Sequence, residues 1–154
     1  EINEKMKKKA NLLRKIISRK VISPKVKNIY SEIYIKSINS FAFNLIALKT
    51  KLTNYQISKS KKTIKLIKNV MNEFEIIIKK LDIPIFQSID SRIKQTLLSK
   101  NHTMSMLNDY NSGRKVEIEN CWNNLNLLNK LLKTKTNLSS KIYKSVVKKI
   151  NNER

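Results

Sequence analysis

Between Asn28 and Leu48 the chain is apolar on nearly every side, through Ile29, Ile33, Ile35, Ile38, Phe41, Phe43, Leu45 and Ile46. A run of this length without Gly or Pro predicts a helix, and a helix that is apolar all round is usually buried. Residues 60–81 instead repeat at helical spacing through Ile64, Ile67, Val70, Met71, Phe74, Ile77 and Ile78, which predicts a long amphipathic helix. Similar patterns predict helices over 4–19, 89–99, 117–132 and 141–150. Thr53 is placed to cap a short helical turn, Asp82–Gln87 with Pro84 reads as a loop, and Thr134–Ser140 as a connection. Residues 20–26, β-branched and interrupted by Pro24, read as a short edge strand.

Two stretches depart from this monotony. The first is Asn101–Glu119. Ser105 and Asp109 lie four apart, on one face of a helix. Asn111, Ser112 and Gly113 then break it, and Gly113, the only glycine, suits a left-handed C-terminal cap. Arg114 to Glu117 turn the chain, and Glu117 opens the next helical pattern. Ser105, Asp109 and Glu117 are thereby expected in one neighbourhood. On local physics alone this is a polar-capped corner between two helices.

The second is inside the apolar run. Lys36, Ser40 and Asn44 recur every four residues and form a slanted polar stripe. A lysine in a buried helix is costly unless it has a partner or lines a cleft. Burial also lowers an amine's pKa and suits it to proton transfer near neutrality. The alternative is a long stem that carries the ammonium to the surface.

Composition narrows the classes. The 154 residues suffice for one domain with a modest core, and 40% hydrophobic content is too high for a disordered chain. One Gly and two Pro favour helices over β-turns. The net charge of +22 would suit nucleic acid or an anionic surface. Lys, Asn and Ile dominate together, however, as A/T-rich codons would dictate. Only five arginines and 6% aromatics supply bidentate or stacking contacts poorly, so no specific nucleic-acid partner is expected. A single Cys121 and one His exclude an intrachain disulfide and a zinc constellation, and Cys121 beside Trp122 reads as a buried structural thiol. No apolar run approaches the ~18 residues of a membrane span, and no signal peptide is visible, so a cytoplasmic location is the default. The chain begins with Glu1, as a piece of a longer protein would.

The two unusual stretches also carry a resemblance. Ser105-Met106-Leu107-Asn108-Asp109, Gly113-Arg114 and Glu117-Ile118-Glu119 resemble the Ser-Met-Leu-x-Asp…Gly-Arg-x-x-Glu-Ile-Asp signature of ketopantoate reductases, across fifteen positions. Tyr34-Ile35-Lys36 through Ser40 and Asn44 to Leu52-Thr53 is similar to that family's Trp-x-Lys-x-x-x-Asn-x-x-x-Asn…Thr-x-Leu-Thr segment, without gaps. Thr136-Asn137-Leu138-Ser139 followed by Ile142-Tyr143 resembles its Thr-Pro-Val-Asn…Leu-Tyr. The departures are Tyr34 for Trp, Ser40 for the first Asn, Tyr55 where Gly is common, and the loss of Pro and Asn near residue 137.

The pattern of helices predicts a mainly α fold, a bundle of about six helices over residues 28–154. The resemblance implies the helical C-terminal, substrate-binding domain of ketopantoate and phosphogluconate-type dehydrogenases. It makes residues 1–27 the tail of a preceding nucleotide-binding domain, a helix plus an edge strand. The implied function is NADPH-dependent reduction of 2-dehydropantoate to pantoate, toward pantothenate and coenzyme A. Lys36 then falls on the catalytic lysine, Ser40, Asn44 and Ser105 on substrate-binding positions, and Glu117 at the cofactor end. Asp109 is expected to hold Ser105 and the corner. One glycine leaves no Gly-x-Gly-x-x-Gly fingerprint, so this chain is expected to carry half an active site, with NADPH bound mainly outside it. The partner is a small 2-keto acid, with no metal and no membrane, and a homodimer is an allowed state. The alternatives are a related oxidoreductase for another 2-keto acid, which Ser40 would mark, and a basic helical module binding nucleic acid or anions.

Overall fold

The computed structural model describes residues 3–17, 26 and 28–153. Among these residues the secondary structure is entirely helical, as the periodicity predicts. α1 spans Glu4–Ile17, α2 Ile29–Thr50, α3 Asn54–Lys59 and α4 Lys61–Lys80. α5 spans Ile89–Leu98, α6 Ser105–Asn111, α7 Ile118–Leu131 and α8 Asn137–Asn152. The edge strand expected over 20–26 lies outside the described residues except for Val26, which is exposed. Among the described residues no helix is long and apolar enough to cross a membrane.

α2 is the axis of the bundle, packed against α4, α6, α7 and α8. Every residue from Phe41 to Leu48 is buried, because helices cover this half on all sides. The first half behaves differently. Only Ser31, Ile35 and Ile38 are buried there, while Ile29, Tyr30 and Ile33 are exposed. Continuous burial of the whole run was the expectation. The one-sided spacing of 31, 35 and 38 shows a surface helix over this half, with Ser31 donating to the carbonyl of Pro84.

An aromatic cluster fills the space around the axis. Phe41 meets Phe74 edge-on at 5.2 Å between ring centroids, and Trp122 stacks on Tyr143 at 4.7 Å. Such pairs add stability beyond the area they bury.

The caps follow the sequence closely. Asn28 accepts the Ser31 N–H, Ser60 the Thr63 N–H and Ser88 the Ser91 N–H. Thr53 and Gln56 form a reciprocal capping box that starts α3. Gly113 has φ +69°, the left-handed conformation expected of it. α8 differs from expectation: it begins at Asn137, four residues early. The Glu73 carboxylate, reaching over from α4, accepts the N–H groups of Leu138 at 2.9 Å and Ser139 at 2.8 Å, and the Ser139 hydroxyl. These bonds satisfy donors that the local sequence leaves open, and the negative charge favours the helix N-terminus.

Candidate active site

The polar stripe on α2 is graded by the end of the bundle. Lys36 and Ser40 are exposed, whereas Asn44 is buried at 1% exposure. The burial anticipated for the lysine is therefore absent in this chain, because the stripe climbs out of the covered half of the helix. Lys36 and Ser40 stand on a ridge between two clefts. One, of about 500 Å³, is mostly apolar and lined by Tyr34, Phe41, Phe74, Cys121 and Leu128 among others. The second, of about 360 Å³, is more polar, with Glu32, Asn39, Gln87, Thr96 and Met104 on its walls. Lys36 and Ser40 line both.

Asn44 joins this ridge to the corner. Its amide Nδ2 donates to the Ser40 carbonyl at 2.8 Å and lies 3.3 Å from the Ser40 hydroxyl. Its Oδ1 accepts the Met106 N–H at 3.0 Å. Met104, the N-cap of α6, makes no side-chain capping bond, so Asn44 supplies the acceptor from across the core. Ser105, exposed in the first turn of α6, follows Met104, which lines the polar cleft, but is itself on the wall of neither cleft. Asn44→Ala should cost about 1–3 kcal/mol, because the buried Met106 N–H is left without an acceptor. Urea unfolding measures it, and a loss below ~0.5 kcal/mol would mean that this N–H finds another partner.

The other two corner residues stand apart from the ridge. Asp109 was expected to hold Ser105. Its carboxylate instead pairs with Arg114, at 2.8 and 2.9 Å from two guanidinium nitrogens, and its carbonyl accepts the Arg114 N–H at 2.8 Å. A guanidinium offers a charged, forked donor, and it outcompetes a neutral hydroxyl on the same face. Asp109 thus holds the corner itself. Glu117 is exposed at the N-cap of α7 and lines neither cleft. It lies one turn before Cys121, which does line the apolar cleft. Burial, and then the Glu117 charge, push the half-buried Cys121 thiol up, as befits an inert structural cysteine.

The site also contains a residue that sequence reasoning passed over. Arg92 is 1% exposed, and its guanidinium pairs with Glu75. It also donates to Asn39 Oδ1 at 3.3 Å and to the Ser88 carbonyl at 3.4 Å. Burial pushes its pKa down, while the Glu75 charge and hydrogen bond oppose the shift. One signal was available. Ile89, Arg92 and Ile93 share the buried face of α5, so the arginine occupies a core register of an amphipathic helix. Its carboxylate partner, seventeen residues away on another helix, was not legible locally. Among the described residues no cluster of His, Cys, Asp or Glu could hold a metal ion.

Residues 28–149 match the family model described as ketopantoate reductase PanE/ApbA C terminal. The chain belongs to that family. The match spans the helices from α2 into α8, and the helical bundle is the C-terminal domain of this family. Lys36, Ser40, Asn44, Ser105, Asp109 and Glu117 all fall inside the matched span. No curated protein and no solved structure matches the chain. The ketopantoate reductase-like assignment therefore stands on the family match.

Proposed function

We propose that this chain is the substrate-side part of an NADPH-dependent reductase that converts 2-dehydropantoate to pantoate. The observation that carries the reading is the ridge of α2. A lysine and a serine open onto two clefts, and a buried asparagine ties them to the Ser105 turn, within a domain of the ketopantoate reductase family.

Reducing a ketone places negative charge on the carbonyl oxygen. Lys36 is the one cation on the ridge, and its ammonium stabilises that oxygen and gives it a proton. The Ser40 and Ser105 hydroxyls donate to the substrate's remaining oxygens. Asn44 acts through its neighbours: its amide is engaged by Ser40 and Met106, so it fixes Ser40 and the first turn of α6. Glu117 lines neither cleft, so its part at the cofactor end rests on the family resemblance alone, and Asp109, paired with Arg114, keeps the turn before it in shape.

NADPH, the hydride source, finds no cradle among the described residues. They form no strand, and one glycine cannot make the Gly-x-Gly-x-x-Gly turn that lets backbone approach a pyrophosphate. Our reading gives the cofactor to a nucleotide-binding domain of which residues 1–27 are the tail. Two features support it. No residue of α1 is buried, with Leu12, Leu13 and Ile16 exposed, and the first turns of α2 expose Ile29, Tyr30 and Ile33. Apolar surface of this kind marks a docking face.

The test is NADPH oxidation by the polypeptide of the complete reading frame, with 2-dehydropantoate set against a panel of other 2-keto acids. The highest kcat/KM is expected for 2-dehydropantoate. A preference of about tenfold or more for another acid would move the substrate assignment, as the hydroxyl of Ser40 allows. No oxidation with any of them would remove the reductase reading.

A further inference from the structure

The polar cleft contains a donor whose direction is fixed by chemistry. Asn39 lies on its wall, half-buried, between Lys36 and Ser40 in sequence. Residues 36, 39 and 40 stand at i, i+3 and i+4, so they share one face of α2. An asparagine amide can be turned either way, and its partner decides. Here the partner is Arg92, which can only donate. The amide oxygen must therefore face Arg92 and the N–H₂ must face away from it. Arg92 itself cannot swing aside. It is buried, paired with Glu75 on α4, and bonded to the Ser88 carbonyl. No hydrogen-bond partner for the Asn39 Nδ2 occurs among the described residues.

The cleft thus presents an ammonium from Lys36, an oriented amide N–H₂ from Asn39 and a hydroxyl from Ser40. Gln87 and Thr96 on its walls are neutral, and its acid, Glu32, lies one turn away from Lys36 toward the helix N-terminus. A ligand oxyanion is favoured at the Lys36–Asn39–Ser40 end and disfavoured beside Glu32.

We propose that Asn39 is a ligand-binding residue. Oriented by Arg92, its amide N–H₂ donates to a carboxylate or hydroxyl oxygen of the 2-keto acid beside Lys36 and Ser40. This inference rests on the reductase reading above. It also gives Ser40 a context: the amide that a serine lacks is supplied from the adjacent position.

Two substitutions separate binding from architecture. Asn39→Asp keeps an acceptor for Arg92 and adds charge, so the fold is retained, but it replaces the donor with an anion that repels the ligand. Asn39→Ala removes both functions without adding charge. In the polypeptide of the complete reading frame, kcat/KM for 2-dehydropantoate should fall about tenfold in Asn39→Ala and about a hundredfold in Asn39→Asp, mainly through KM. Thermal stability should run in the opposite order, with Asn39→Asp at or above the parent and Asn39→Ala below it. If kcat/KM instead follows stability, or stays within threefold in Asn39→Asp, the inference is overturned. The reductase reading still stands in that case if Lys36→Ala abolishes turnover. An absence of turnover in the parent polypeptide overturns both.

Discussion

Lys36→Ala is expected to lower turnover of 2-dehydropantoate by about a hundredfold or more in the complete enzyme, the scale of general acid catalysis by a positioned side chain. The lysine is exposed on the ridge of α2, and nothing in the packing of the domain depends on it. Its removal should leave the unfolding free energy within the ±0.5 kcal/mol typical of a surface change. The loss should therefore appear as kinetics alone. Lys36→Arg sharpens the test, because a guanidinium keeps the charge but does not give up a proton at neutral pH. It should bind the keto acid yet turn it over slowly. A loss under threefold in the alanine variant would remove Lys36 from the mechanism.

Phe74→Ala should be the most damaging single change to the fold, at about 3–5 kcal/mol. Phe74 is fully buried on α4, with Phe41 edge-on at 5.2 Å and Trp122 edge-on at 6.5 Å. Truncation opens a void at the meeting of α2, α4 and α7 and removes both aromatic contacts. Since a domain of this kind is held by about 5–15 kcal/mol in all, the variant should lose about a fifth of its stability or more. Leu131, 68% exposed at the end of α7, provides the contrast, and its alanine variant should change stability by less than ~0.5 kcal/mol. Urea unfolding of both measures the gap. Equal effects would mean that the aromatic cluster is not the centre of the core.

The two outcomes bear on different levels of the molecule. The phenylalanine belongs to the packing that gives the bundle its shape, and the lysine to the surface that this packing holds in place. The coupling between them runs through α2. Phe41 to Leu48 anchor the helix, and the same helix extends Lys36, Asn39 and Ser40 beyond its covered half.

Much of this was legible in the residues. Helical spacing of apolar positions located α4 and α7 to within a few residues, since an amphipathic face is a local property of a 3.6-residue repeat. The caps at Thr53 and Gly113 were equally local, because each depends on a side chain or a φ angle within one turn. The four-residue spacing of Lys36, Ser40 and Asn44 placed them on one stripe for the same reason. How far along that stripe the protein covers them could not be read this way. Burial is set by which other helices reach α2, and those lie far away in sequence. Asn44 finds Met106 sixty-two residues on, and Arg92 finds Asn39 fifty-three residues back. Glu73 starts α8 from sixty-five residues away. Each of these bonds satisfies a polar group that burial would otherwise leave unpaired, and burial exists only once the helices have met. The helices and the kinds of residue on them are thus properties of the chain. The exposed lysine, the buried asparagine and the amide turned by Arg92 are properties of the packed bundle.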